Sequence, residues 1–383
     1  MARDREDAAL PARIAPLTPI EAVDVLVLGA GPAGAAFAMA LAPRRRVLVI
    51  DRYPGPRPRI GESLPAAAWR LLAKLGHWEA FRADGHLPCF GRRSVWGGPA
   101  LLEFDSLRDL DGHSWLLDRA RFEAGLRAAA VSQGADIIAP ARVEAIEHDA
   151  GGWLVRVGCR SGSRLVRANV LVDGRGRAGR PLPGSGAKRL REGRLICAWA
   201  VGVTPAEDAA AASVIHVQSD AEGWWYSAPL PGRARVLAFH TDADLLAAAV
   251  RTLQGLVGRA RELPELAAII GKTRFLDEPR WGVCAAHGSL LEPACGSDWF
   301  AIGDAASAFD PLASQGLFHA LYTGVEAAKA ADCTLAGDPS GAAVYRARVA
   351  AVWSVYSNRL RATYALERRW PAHPFWQRRW QAV

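Results

Sequence analysis

The sequence predicts an α/β fold in which a parallel sheet is interleaved with an antiparallel one and followed by a helical C-terminal segment. Three observations predict it. An apolar run over residues 25–28 enters a turn carrying Gly29, Gly31 and Gly34, and an alanine-rich helix then leads to a second apolar run that ends in Asp51. Far downstream, Trp299 opens a short strand that ends in Gly303 and Asp304, and a loop over 309–316 leads into another helix. Between them lie β-rich runs over 195–203, 213–218 and 235–240, of the length and composition that pair as antiparallel strands.

Each part of the first unit has a physical task. Gly29 lets the chain turn tightly off the strand, Gly31 lets a diphosphate approach the backbone, and Gly34 lets the helix pack close to the sheet. The free N–H groups and dipole of the helix start, at Ala33 and its neighbours, hold phosphate. Asp51, at the end of the second strand and next to Arg52, can accept both ribose hydroxyls of an adenosine. Strand, helix, strand and acid in register imply a Rossmann-type unit binding an adenine dinucleotide. The later element supplies an acid at a strand end, Asp304, able to hold a polyol hydroxyl. It also supplies a helix N-terminus near Pro311, Gln315 and Gly316, whose dipole can stabilise negative charge on a reduced ring.

This second element resembles the corresponding motif of the para-hydroxybenzoate-hydroxylase-like flavoproteins, with Asp304 on the ribityl chain and the following helix facing the flavin pyrimidine. Asp173, in Leu171-Val172-Asp173-Gly174-Arg175-Gly176, matches a third element that this group places near flavin and diphosphate. The cofactor implied is FAD. No second G-x-G-x-x-G follows a strand, so electrons are expected from transiently docked NAD(P)H or from a partner flavin reductase.

The loop after Asp51 narrows the resemblance. Gly61-Glu62-Ser63-Leu64-Pro65 is similar to the strap that lies along the flavin in the tryptophan halogenases and their relatives, which places Glu62 and Ser63 in the flavin environment. Those halogenases also carry a Trp-x-Trp-x-Ile-Pro signature, where this chain has Trp224-Trp225-Tyr226-Ser227-Ala228-Pro229. Their essential lysine has Gly91 at its matching position, which removes the ammonium that halogenation needs. The chain therefore resembles a lysine-free branch that includes flavoproteins hydroxylating a peptidyl tryptophan in tryptophylquinone cofactor biogenesis. The activity implied is a FAD-dependent monooxygenase acting on an electron-rich aromatic ring. The alternatives are a small-molecule aromatic monooxygenase and a reductase resembling the geranylgeranyl reductases.

The resemblance implies a diphosphate contact for Arg121, on a helix read over 118–130. Trp96, Trp225, Tyr226 and Phe309 are candidate pocket walls, since aromatic faces suit an indole. His113 and His240 are weak acid/base candidates beside Glu62. The domain reading is a flexible start over 1–22, a FAD-binding domain over 23–90, 115–195 and 283–335, a substrate domain over 91–114 and 196–282, and a helical segment over 336–383.

Composition excludes other classes. The chain has 383 residues and a net charge of +8, from 47 Lys plus Arg against 39 Asp plus Glu. That surplus reads as solvated, arginine-rich surface, and nucleic acid binding, which needs a concentrated basic patch, is not expected. No run of about 18 uninterrupted apolar residues occurs, and the N-terminal residues hold no signal-peptide core, so a cytoplasmic protein without a membrane span is expected. Six scattered cysteines with no C-x-x-C pair argue for reduced thiols, no metal site and no dithiol relay. The tail over 367–380 interleaves arginine with aromatic residues, which suits either packing on the body or docking of an acidic polypeptide.

Overall fold

The structure is a computed structural model that describes residues 20–106, 110–206, 214–275 and 280–381. Residues 1–19, most of the expected flexible start, lie outside the described residues, as does Ser213 at the expected opening of a strand. Residues 25–28 of the strand Ile20–Leu28 are buried because parallel strands flank it on both sides. Among the described residues the parallel strands run in the order Asp136–Ile138, Val47–Ile50, Ile20–Leu28 and Gly162–Asp173, with Trp299–Ala301 beside the C-terminal end of the last. Ala141–Asp149 and Gly152–Cys159 form the hairpin expected around Gly151 and Gly152, and the second of them continues the sheet against Gly162–Asp173.

The helix Pro32–Leu41 is buried almost all round, between this sheet and the helix Gly316–Leu335. Small residues make that closeness achievable. A Cβ at Gly324 would lie 2.4 Å from the Ala33 carbonyl oxygen, and one at Gly303 would lie 2.9 Å from the Ala33 Cβ. The glycine turn and the Gly303-Asp304 turn, far apart in sequence, are thereby pressed together.

The second large sheet runs in the order Arg274–Phe275, Leu195–Val203, Ala234–Asp242, Gly223–Leu230, Ile215–Asp220, Gly91–Val95 and Leu102–Asp105, with Trp281–Ala285 also on Leu195–Val203. It departs from the antiparallel expectation at one seam, where Gly91–Val95 pairs parallel with Ile215–Asp220. The reason is connectivity. Gly91–Val95 and Leu102–Asp105 form their own hairpin, and no tight turn ties that hairpin to Ile215–Asp220, so nothing imposes an antiparallel direction at the junction.

Side chains alternate across this sheet. One face, here the outer face, carries Ala198, Ala200, Trp225, Leu237 and Phe239, and is covered by the helices Leu253–Arg261 and Pro264–Ile270. The inner face carries Cys197, Trp224, Tyr226, Ala238 and, directly opposite Trp224, His240. It packs on Ile60 of the strap and on the C-terminal helices Ser340–Leu366 and Pro374–Gln381. The C-terminal tail packs on the body. Phe375 and Trp376 are fully buried, Arg378 pairs with Asp242 and Asp244, and Arg379 pairs with Asp242 while stacking over Phe375. Arg378 and Arg379 are thus paired within the chain. Among the described residues no helix is long and apolar enough to cross a membrane.

Candidate active site

The glycine turn shows which glycines the protein itself requires. Gly29 has φ +108°, and a Cβ there would meet the Gly174 carbonyl oxygen at 2.5 Å. A Cβ at Gly34 would fall 1.9 Å from the Gly29 carbonyl oxygen. At Gly31 a Cβ would meet nothing within 4 Å, so no neighbouring protein atom demands that glycine. Open space at the N-terminal cap of Pro32–Leu41 fits a diphosphate approaching the backbone. Asp51 lies beside it and accepts from Ala30 N and Tyr53 N, each at 2.8 Å.

Arg127 joins that cluster, with Nη2 3.2 Å from Asp51 Oδ2 and Nε donating to the Ala30 carbonyl at 2.8 Å. The sequence reading passed over Arg127 and favoured Arg121 for the diphosphate. Both lie on the helix Arg119–Ser132, but Arg121 turns outward to the Asp84 carbonyl at 2.8 Å, whereas Arg127 points to the glycine turn. An arginine two turns inside the helix was the available signal, legible only once the helix was set against the turn. Arg52 is exposed and lies over the Tyr53 ring, 4.7 Å from its centroid.

The second motif closes the other side. Asp304 pairs with Arg177 at 3.7 Å, and Arg189 donates to the Ala305 carbonyl at 2.7 Å. Arg177 also donates to the Phe309 and His287 carbonyls, which ties the turn after Asp173 to the loop after Asp304. Pro311 opens a short 3₁₀ turn, Gln315 caps the helix Gly316–Leu335 without a side-chain bond, and a Cβ at Gly316 would again meet nothing within 4 Å. The first N–H groups of that twenty-residue helix thus remain available to an anionic ring. Asp173 is committed elsewhere. Its carboxylate receives Arg175 N, Nε and Nη2 at 2.9–3.0 Å, which leaves it a turn-forming role.

Glu62 is the unusual group of the inner face. Its carboxyl is 4% exposed, and burial lifts it to about 7 against the partial opposition of Arg119. Gly61, at φ +105°, donates its N–H to Oε2 at 3.0 Å, while Arg119 donates to the Gly61 carbonyl. Ser63 is held in the short strand Ser63–Leu64 against Leu116. The buried Tyr226 hydroxyl finds no hydrogen-bond partner among the described residues, and burial, reinforced by the nearby Glu62 and Cys89, pushes its ionisation well above the usual range. It is therefore a neutral hydroxyl free to donate a hydrogen bond. The chain's lysines, Lys74, Lys188, Lys272 and Lys329, are all exposed, and none belongs to this face.

Several candidates fall elsewhere. Trp225 lies on the outer face, fully buried, with Nε1 donating to Asp220 Oδ2 at 3.1 Å, because its parity on the strand is opposite to that of Tyr226. Trp96 is held by the C-terminal helices, with Nε1 donating to the Thr363 carbonyl at 2.8 Å. Phe309 is stacked on Tyr356 at 4.2 Å and packs on His319, which makes it part of the core. His113 packs between Phe90 and Trp115. His240 is stacked flat on Trp224 at 3.7 Å, and burial lowers it to about 3, so it is neutral near pH 7 and too weak a base for proton abstraction. A cavity of about 380 Å³ between helices is lined by Met39, Lys74, Gln133 and Lys329, away from all these groups.

A Rossmann-type unit pressed against an antiparallel-rich sheet, with two helix N-termini aimed at a common seam, defines a dinucleotide-dependent redox enzyme. Residues 104–382 match the tryptophan halogenase family, and the chain belongs to that family of flavin-dependent enzymes. It is 30% identical to LodB of Marinomonas mediterranea, a protein named as a FAD-dependent oxidoreductase, over 94% of this chain and 97% of that one. It is 28% identical to the menaquinone reductase of Mycolicibacterium smegmatis, over 80% and 75% of the two chains. Among solved structures, the myxobacterial chondrochloren halogenase CndH superposes with a TM-score of 0.83 at 22% identity, covering 94% of this chain and 86% of that one. The peptidyl tryptophan dihydroxylase QhpG superposes with a TM-score of 0.73 at 24% identity, covering 93% and 78%. These two likenesses establish the fold.

Proposed function

We propose that the protein is a FAD-dependent monooxygenase that hydroxylates an electron-rich aromatic ring, with a tryptophan side chain in a partner peptide or protein as its target. One observation carries the reading: the face expected to meet the cofactor presents buried Glu62 and an unpartnered Tyr226 hydroxyl, but no lysine. A halogenase-family fold without a buried ammonium retains oxygen activation and loses halide delivery. FAD, when bound and reduced by NAD(P)H or a partner flavin reductase, supplies electrophilic oxygen from O₂. The chain's own groups do the rest. Gly29, Gly31, Gly34, Asp51 and Arg127 would hold the dinucleotide, and Asp304 with the start of Gly316–Leu335 would hold the flavin end. Tyr226 donates a hydrogen bond, and Glu62, near half-ionised at neutral pH, passes a proton within a site shielded from water.

The peptide target is supported by the shared fold of QhpG, named for its action on a peptidyl tryptophan. We assign the FAD-binding role to residues 23–90, 115–195 and 283–335, and substrate contact to the inner face of the second sheet. Six unpaired cysteines support a reducing, cytoplasmic compartment.

The test supplies FAD-loaded protein with NADPH, a flavin reductase and ¹⁸O₂, and offers tryptophan-bearing peptides alongside free indole. Incorporation of one or two ¹⁸O atoms into a peptidyl tryptophan is expected. Labelling of free indole alone points to a small-molecule monooxygenase. A second reading, reduction of an isoprenoid quinone, is favoured by the menaquinone reductase relative. Consumption of a menaquinone with no oxygen transferred to any ring establishes that reading and overturns ours.

A further inference from the structure

Cys197 and Cys284 are far apart in sequence and directly opposite in space. They form a cross-strand pair between the antiparallel strands Leu195–Val203 and Trp281–Ala285, within the same inner-face cluster. Residues so paired have Cα atoms about 4.5–5.5 Å apart. A disulfide spans roughly 4.4–6.8 Å, so the pair's Cα spacing lies within the range a disulfide bridges. Each thiol shifts the ionisation of the other, and both lie within the electrostatic reach of Glu62. The absence of a C-x-x-C motif therefore misleads: the sheet register assembles the dithiol that the sequence spacing does not show.

We propose that Cys197 and Cys284 are a redox-active dithiol site that takes hydrogen peroxide as its oxidant and closes to a disulfide. Cys284 attacks first. It is only half-buried, and the hydrogen bond from Cys197, helped by the charge of Arg177, lowers its ionisation below the usual thiol range. Cys197 is buried, which pushes its ionisation well up and leaves Cys284 as the first nucleophile, with Cys197 placed opposite it to resolve. In the first step the Cys284 thiolate attacks one peroxide oxygen, the O–O bond breaks, and the departing hydroxide takes a proton to become water. The resulting sulfenic acid is attacked by Cys197, the S–S bond forms, the S–O bond breaks, and a second water leaves. Two thiols lose two electrons, and one peroxide becomes two waters. Any flavoenzyme that passes electrons to O₂ without a second substrate makes this oxidant, so the pair is suited to consume it beside Glu62. The proposal itself requires only added peroxide.

The test treats the full-length protein with one equivalent of hydrogen peroxide, alkylates the remaining thiols after unfolding, and maps peptides by mass spectrometry without reduction. A cross-link between the peptides carrying Cys197 and Cys284, lost on adding dithiothreitol, is expected. Cys159 is the internal competitor, since its bond to Ser161 also lowers its ionisation. Recovery of Cys197 and Cys284 as free thiols while Cys159 or Cys333 is oxidised overturns the proposal. In Cys284→Ser the Cys197 thiol stays free over the time in which the unmodified chain loses it, because the first nucleophile and the disulfide partner are both gone. In Cys197→Ser a dimedone-trappable sulfenic acid accumulates at Cys284. An unchanged rate in the first variant also overturns the assignment. The unmodified chain carries the primary readout, so a variant that misfolds leaves the answer intact.

Discussion

The two faces of the second sheet share the same strands and do opposite work. On the outer face Trp225, Leu237 and Phe239 pack against Leu256, Ala260, Leu266 and Ile270 in an apolar layer. The inner face gathers the buried Glu62, His240 and Cys197 with the half-buried Tyr226 and Cys284, and leaves the Tyr226 hydroxyl and His240 Nδ1 without partners among the described residues. Unpaired buried polar atoms each cost about 1–3 kcal/mol. The outer face buries polar groups too, but there His216 is bonded to Gln218 and Arg235 to Ser227 within the sheet, whereas the inner face gathers a carboxyl, a phenol and a thiol pair beside the strap, although both come from one alternating strand.

Breaking the outer face should have the largest effect. Trp225→Ala empties a fully buried site, and a loss of about 3–5 kcal/mol is expected in urea unfolding. A loss below about 1 kcal/mol would show that the helices Leu253–Arg261 and Pro264–Ile270 do not depend on that layer.

Glu62 sharpens the comparison through pH. Its folded carboxyl titrates near 7 against 4.5 for the ordinary group, so the folded state binds more protons across that window. The stability it permits is complete below about pH 4.5, falls as pH rises toward 7, and is flat above. The total loss is on the order of 3 kcal/mol. Glu62→Gln should flatten this slope and leave the protein more stable than the unmodified chain at pH 8, as measured by unfolding at pH 5 and pH 8. Equal slopes in both proteins would mean that Glu62 is ionised in the fold throughout.

The glycine turn offers a smaller stability effect with a large binding effect. Gly31→Ala introduces a methyl into open space, so stability should change by about 1 kcal/mol or less while FAD affinity falls at least about tenfold, followed by flavin fluorescence. An unchanged affinity would remove the turn from the cofactor site.

Tyr226→Phe is the mirror of the first variant and should stabilise the protein, by about 1 kcal/mol, since it removes a buried hydroxyl that holds no partner. Product formation in the ¹⁸O₂ assay should nonetheless drop. A large stability loss with unchanged turnover would reverse the functional assignment of the two faces.

Much of the nucleotide unit was legible in advance because its physics is local. Gly29, Gly31 and Gly34 act through backbone within a few residues of one another, and the run over 25–28 is buried for the same reason in any parallel sheet. The Gly303-Asp304 turn was legible on the same grounds, though not the contact with Ala33 that brings it to the first turn. Pocket residues were harder to read. Trp225 and Tyr226 were both read as pocket walls, yet neighbours on a strand face opposite ways, and which way is inward depends on two helices covering one side and on the strap and C-terminal helices covering the other.

The sequence by itself determined the class of fold and the turn where a dinucleotide would lie, since spacing and backbone freedom suffice for both. Only the tertiary structure decided that Arg127 rather than Arg121 meets Asp51, that Asp173 is bound to Arg175, and that two distant cysteines face each other. Those choices rest on sheet register and helix placement, which no short stretch of chain encodes, because each depends on contacts between residues that meet only when the whole core closes.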